Sequence, residues 1–135
     1  MIKRILILTI VGLFLSACSL DDENNNYGYE TLPIKSAVVP SEFQFGTVAT
    51  ITVTYDLPSS CYHFHSLHYI YENTARIVAI NSFFEDEGCT DIVTEKELTF
   101  EVSVNQQEDY VFKFWKGKDN GGNNIFEEIT VPVVQ

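Results

Sequence analysis

From Ile34 onward several runs carry apolar residues at every second position, and no stretch shows the three-to-four spacing of an amphipathic helix. The clearest run is 96–104, where Leu98, Phe100, Val102 and Val104 alternate with Glu97, Thr99, Glu101 and Ser103. A period of two sends successive side chains to opposite faces, so such a run reads as a strand with one face on a core and the other in water. Run 47–55 has Ala49, Ile51, Val53 and Tyr55 set against Thr50, Thr52 and Thr54. Run 110–116 has Tyr110, Phe112 and Phe114 set against Val111, Lys113 and Trp115. In 125–133, Ile125, Ile129, Val131 and Val133 share a face that Glu127 interrupts. Runs 62–71 and 75–84 are joined by Glu72-Asn73-Thr74, a polar connection short enough for a hairpin. A first strand over 35–39 stops at Pro40, which has no N–H to give a ladder. Seven short strands without a helix predict an all-β chain of two antiparallel sheets packed face to face.

At 135 residues there is room for one domain, and 45% hydrophobic with 20% charged residues is an ordinary globular balance. Eight basic against 19 acidic side chains give a formal net charge of −11. Phosphate backbones are bound by clustered Lys and Arg, so nucleic acid is excluded as an expected partner.

The N-terminal residues read as an address. Lys3 and Arg4 precede an apolar segment over 5–15, too short for the roughly 20 residues that a hydrocarbon core requires. It ends in Leu15-Ser16-Ala17-Cys18, which resembles the bacterial lipobox. The resemblance implies cleavage of a signal peptide over 1–17 and acylation of Cys18, which attaches the mature chain to the envelope membrane. The alternative is an ordinary secretory signal cut near Ala17, leaving Cys18 as a thiol. Residues 1–17 hold Lys3 and Arg4 and no acidic residue, so cleavage takes the net charge from −11 to −13. Ser19 after Cys18 resembles the pattern of lipoproteins released to the outer membrane of Gram-negative bacteria. Asp21-Asp22-Glu23 is similar to the acidic export tag of Bacteroidetes surface lipoproteins, with Leu20 intervening, and reads equally as a solvated linker. The stretch 18–33 is expected to be the acylated Cys and a flexible acidic tether, and 34–135 the folded domain.

The stretch 98–114 carries a second resemblance. After the fifth strand comes a polar turn over 105–109, then Asp109-Tyr110-Val111-Phe112. This resembles immunoglobulin-like domains, in which a Tyr opening strand F makes the tyrosine corner; Tyr110 occupies that place. Asp119-Asn120-Gly121-Gly122-Asn123 is similar to the turn between the last two strands of many bacterial Ig-like domains. The resemblance implies a seven-stranded antiparallel Ig-like β-sandwich. It also implies that the B–C, D–E and F–G loops, at 57–60, 85–94 and 117–124, gather at one end.

Chemistry-bearing constellations are few. Cys61, His63 and His65 stand at i, i+2 and i+4, one face of a regular strand, and could begin a zinc or copper site with Asp86 or Glu87 as a fourth ligand. His68 has the wrong parity unless a bulge intervenes. The competing reading has half-buried imidazoles and Cys61 in a disulfide. Glu85, Asp86, Glu87 and Asp91 lack the EF-hand spacing and read as a solvated acidic loop. No G-x-S-x-G, P-loop or H-E-x-x-H is present, so catalysis is not expected, nor is a cofactor. Trp115 and Tyr62, with Asp119 and Asn120 nearby in sequence or on the same loop end, are candidates for stacking and hydrogen bonding a glycan or a peptide. With Cys18 taken by lipid, Cys61 and Cys89 remain as an even pair and are expected to form a disulfide. The function read from all this is a non-catalytic envelope lipoprotein for recognition, adhesion or assembly; the alternative is a metal-binding lipoprotein using Cys61, His63 and His65.

Overall fold

The computed structural model describes residues 26–135. The signal segment, Cys18 and the first part of the expected tether lie outside those residues. Among the described residues the chain is all-β, with no helix and hence none able to cross a membrane. Its strands are β1 (Tyr27–Leu32), β2 (Ser36–Val38), β3 (Phe43–Gln44), β4 (Val48–Leu57), β5 (Tyr62–Glu72), β6 (Ala75–Glu85), β7 (Thr94–Ser103), β8 (Tyr110–Lys118), β9 (Asn124–Val131) and β10 (Val133–Val134). Each of the seven runs contains a strand, β2 and β4 to β9, and β1, β3 and β10 are added to them.

β6 is the centre of the larger sheet. It pairs antiparallel with β5 along one side, across the two-residue turn Asn73-Thr74, where Asn73 takes φ 55°. Asn is among the few non-glycine residues that adopt this left-handed conformation readily. The other side of β6 is shared end to end. Residues Ala75 to Val78 pair with β8, and Ile80 to Glu85 pair with β1. β9 closes the far side of β8. The second sheet is β2-β4-β7, antiparallel throughout, and β3 with β10 forms a small two-stranded sheet.

Two expectations are corrected here. The larger sheet is mixed, because β6 and β8 pair in parallel, and β3 with β10 is a parallel pair. Alternation reports which face a residue occupies and carries no information about strand direction, so pairing sense was beyond its reach. The expected tether over 18–33 is also too long: Tyr27–Leu32 is a strand in full register with β6. Its inward positions are Gly28, Glu30 and Leu32, so a single apolar residue marks the core face and the period is hidden. A Cβ at Gly28 would lie 3.0 Å from the Phe84 ring, so any larger residue there makes that ring give way.

The two sheets enclose one core. Ile51, Val53 and Tyr55 of β4 and Val102 of β7 meet Leu32, Val78, Ile80, Phe112, Phe114 and Val131 of the larger sheet. Each fully buried large apolar side chain contributes about 1.5–3 kcal/mol. Tyr110, Phe112 and Phe114 stack down the inner face of β8 with ring centroids 5.9 Å apart, and Phe43 meets Tyr110 edge-on at 5.2 Å.

Candidate functional site

At one end of the molecule Cys61 and Cys89 are joined by a disulfide, their Cα atoms 5.3 Å apart. The bridge ties the residue before β5 to the connection between β6 and β7. Around it, Ser60 N–H donates to the Thr90 carbonyl at 3.1 Å and Thr90 N–H donates to Ser60 Oγ at 2.8 Å. Two of the three expected loops therefore form one stapled unit, which carries Glu85, Asp86, Glu87 and Asp91 together with exposed Ile92 and Val93. The third loop, between β8 and β9, is closed on itself. Asp119 Oδ1 accepts the N–H groups of Gly121 at 2.8 Å and Asn123 at 2.9 Å. These bonds, the backbone of Asn123 first, hold the Asp119 carboxyl below the usual carboxylate range. Asp119 thus shapes the turn, while Asn120 is exposed on it.

The expected metal set is dismantled. Cys61 is consumed by the disulfide, and the register of β5 slips between Phe64 and Ser66, which leaves His65 as the extra residue of a bulge. The bulge brings His68, opposite Ala79, to the same face as His63, opposite Phe83. His65 packs edge-on against Tyr29 at 5.0 Å. Among the described residues no three His, Cys, Asp or Glu side chains gather as a metal-holding group, Asp86 and Glu87 included.

Trp115 and Tyr62 do not form one platform. Tyr62 pairs with Phe84 on the core-facing side of the larger sheet, stacks on it at 5.4 Å, and donates its hydroxyl to Glu30 Oε2 at 2.6 Å. That bond, ahead of partial burial, raises the Tyr62 pKa. Trp115 lies opposite Phe126 on the other face of the same sheet, with its indole N–H donating to Asn124 Oδ1 at 3.1 Å. Both rings already have partners.

A residue that the sequence reading passed over dominates the opposite end. Arg76 sits at the second position of β6 with the core parity of Val78 and Ile80, and is only 4% exposed. Its guanidinium lies 4.2 Å from the Tyr71 ring centroid and 5.0 Å from that of Tyr110. Nη1 donates to the Asn73 and Ala75 carbonyls at 3.1 and 2.9 Å, and Nη2 donates to Gln106 Oε1 at 2.7 Å. Nε–H has no partner. Among the described residues Arg76 enters no ion pair; those present belong to Lys35, Lys113 and Lys116. The side chain lines a cleft of about 360 Å³ between the free edges of β5 and β7, with Tyr69, Tyr71, Phe100, Glu101 and Asn105 among its walls. Desolvation pushes the Tyr69 hydroxyl up to about 12, against the opposing pull of nearby Arg76. A charged residue on the core parity just after a turn was the signal available in the sequence. Compared with protein-family models, with curated proteins and with solved structures, the chain matches none.

Proposed function

We propose that this chain is a non-catalytic lipoprotein of the bacterial envelope, whose Ig-like β-sandwich serves recognition or assembly at the membrane. The observation that carries the reading is the Cys61–Cys89 disulfide. Disulfides persist in oxidising compartments such as the envelope, and this one fixes two loops against a rigid scaffold, the arrangement in which binding surfaces are usually built. Exposed Ile92 and Val93 on the stapled acidic loop offer an apolar contact to a partner. Leu15-Ser16-Ala17-Cys18 supports the lipid anchor.

The Ig-like assignment draws support from Tyr110. Its hydroxyl donates to the Ser103 carbonyl at 3.3 Å and accepts the Asn105 N–H at 3.2 Å, closing the turn between β7 and β8 as a tyrosine corner does. The parallel β6–β8 pair is a departure from that topology.

The anchor is tested by metabolic labelling with a clickable palmitate in a bacterial host. Wild-type protein is expected to carry label and partition into detergent, and Cys18→Ala to lose both. Label on the variant at wild-type level rules the anchor out. Recognition is tested by a glycan array and by crosslinking at Ile92 and Val93; a blank array with no crosslinked partner argues for a spacer domain.

A further inference from the structure

The Arg76 cleft combines three features that the core does not need. A guanidinium that is 4% exposed has an unpartnered Nε–H and no carboxylate against it. Buried charges are normally paired, and one left unpaired is a standing demand for an anion. The Tyr69 hydroxyl lies near the same guanidinium, and both residues line one space. Tyr71 is 69% exposed, and with one face of its ring on the guanidinium it presents the remainder to solvent.

We propose that this cleft binds the carboxylate of a uronic acid carried on an otherwise neutral glycan. The proposal rests on the recognition reading and names the ligand class. The carboxylate meets the Arg76 guanidinium and the Tyr69 hydroxyl, and the apolar C–H face of the sugar ring lies on Tyr71. Glu101 and Asn105, on the facing wall, meet ring hydroxyls. Glu101 can only accept, so it receives hydroxyl protons and repels a second anion. The net charge of −11 likewise disfavours a polyanion. Together these select one carboxylate among hydroxyls, rather than a phosphate or a polyuronate. The cleft volume falls at the lower end of the about 300–1,000 Å³ occupied by small-molecule sites.

The test is calorimetric titration of the full chain in detergent micelles with a neutral oligosaccharide ending in one glucuronate. The matched control is the same oligosaccharide with its carboxyl reduced to the alcohol. The acidic sugar is expected to bind at least tenfold more tightly than the reduced one. Tyr69→Phe and Tyr71→Ala, each first checked to melt cooperatively as folded protein, are each expected to weaken it tenfold or more. Arg76→Gln should abolish the preference for the acid, although it also loosens the adjoining turn, so the tyrosine variants decide. Equal binding of the two sugars, binding untouched by both tyrosine variants, or no binding overturns the proposal. Binding of an acetylated dipeptide carboxylate in place of the sugar overturns the sugar assignment. If the cleft fails while an array or a crosslink at Ile92 and Val93 identifies a partner, the recognition reading stands without it.

Discussion

Asp119 is fully exposed, yet its carboxyl is held in the charged form by the turn that it closes. The backbone and side chain of Asn123 donate to it first, and Gly121 and Gly122 add to them. A carboxyl whose folded pKa is depressed adds stability above its unfolded value of 3.8, and that contribution is lost as pH falls through the lower, folded value. Amide exchange at Gly121 and Asn123 is therefore expected to quicken at fixed temperature, relative to the β8 interior, once pH drops below about 3.8. Asp119→Asn should show the faster exchange already at neutral pH. If both amides stay protected in the variant, the turn does not depend on this charge. Gln106 does comparable work at the other end. Its Oε1 takes the Arg76 guanidinium, and its Nε2 reaches the carbonyls of Thr74, Glu108 and Asp109 at 3.2–3.3 Å. Asp119 was legible as a turn residue from Asp-Asn-Gly-Gly-Asn alone, whereas Gln106 was not, because two of its partners, Thr74 and Arg76, stand 32 and 30 residues earlier in the chain.

Strands differed sharply in how far their sequences announced them. β4, β7 and β8 carry clean alternation because each sets one face on the core and the other in water. β1 carries none, because Gly28 lies close under the Phe84 ring and Glu30 answers the Tyr62 hydroxyl. Gly28→Val forces its side chain onto that ring and should cost about 1–3 kcal/mol, read as a lower urea midpoint with unchanged slope. If β1 were only a tether, the variant would unfold with wild type. The Cys61–Cys89 pairing was legible by elimination, once Cys18 was set aside. The bulge at His65 was not, since no residue there marks a slip in register. Cys61→Ser with Cys89→Ser releases a loop of 28 residues and should lose about 3.5 kcal/mol in the chain-entropy model, with faster proteolysis between β6 and β7. Equal stability with and without reductant would show that the bridge constrains nothing.

For the molecule as a whole, the two sheets depend on one shared layer of aromatic and branched side chains. Phe112 touches that layer through both Tyr110 and Phe114 and meets Phe43 edge-on at 5.9 Å. Phe112→Ala should remove about 3–5 kcal/mol, measured by chemical denaturation, and lower the cooperativity of both sheets together. A loss confined to one sheet would mean two independent units. The proposed anchor, taken with the fold, would give the molecule a direction. β1 enters at the stapled end, where Tyr27 lies opposite Glu85 and the Asn26 carbonyl accepts the Asp86 N–H. From Cys18 to Tyr27 even a fully stretched chain covers only about 30 Å. If Cys18 carries the proposed lipid, the disulfide end is the one that lies nearest the bilayer. Arg76 stands nine residues back along β6, about 30 Å from that end, so on the proposed anchor the Arg76 cleft lies farther from the bilayer than the patch of Ile92 and Val93.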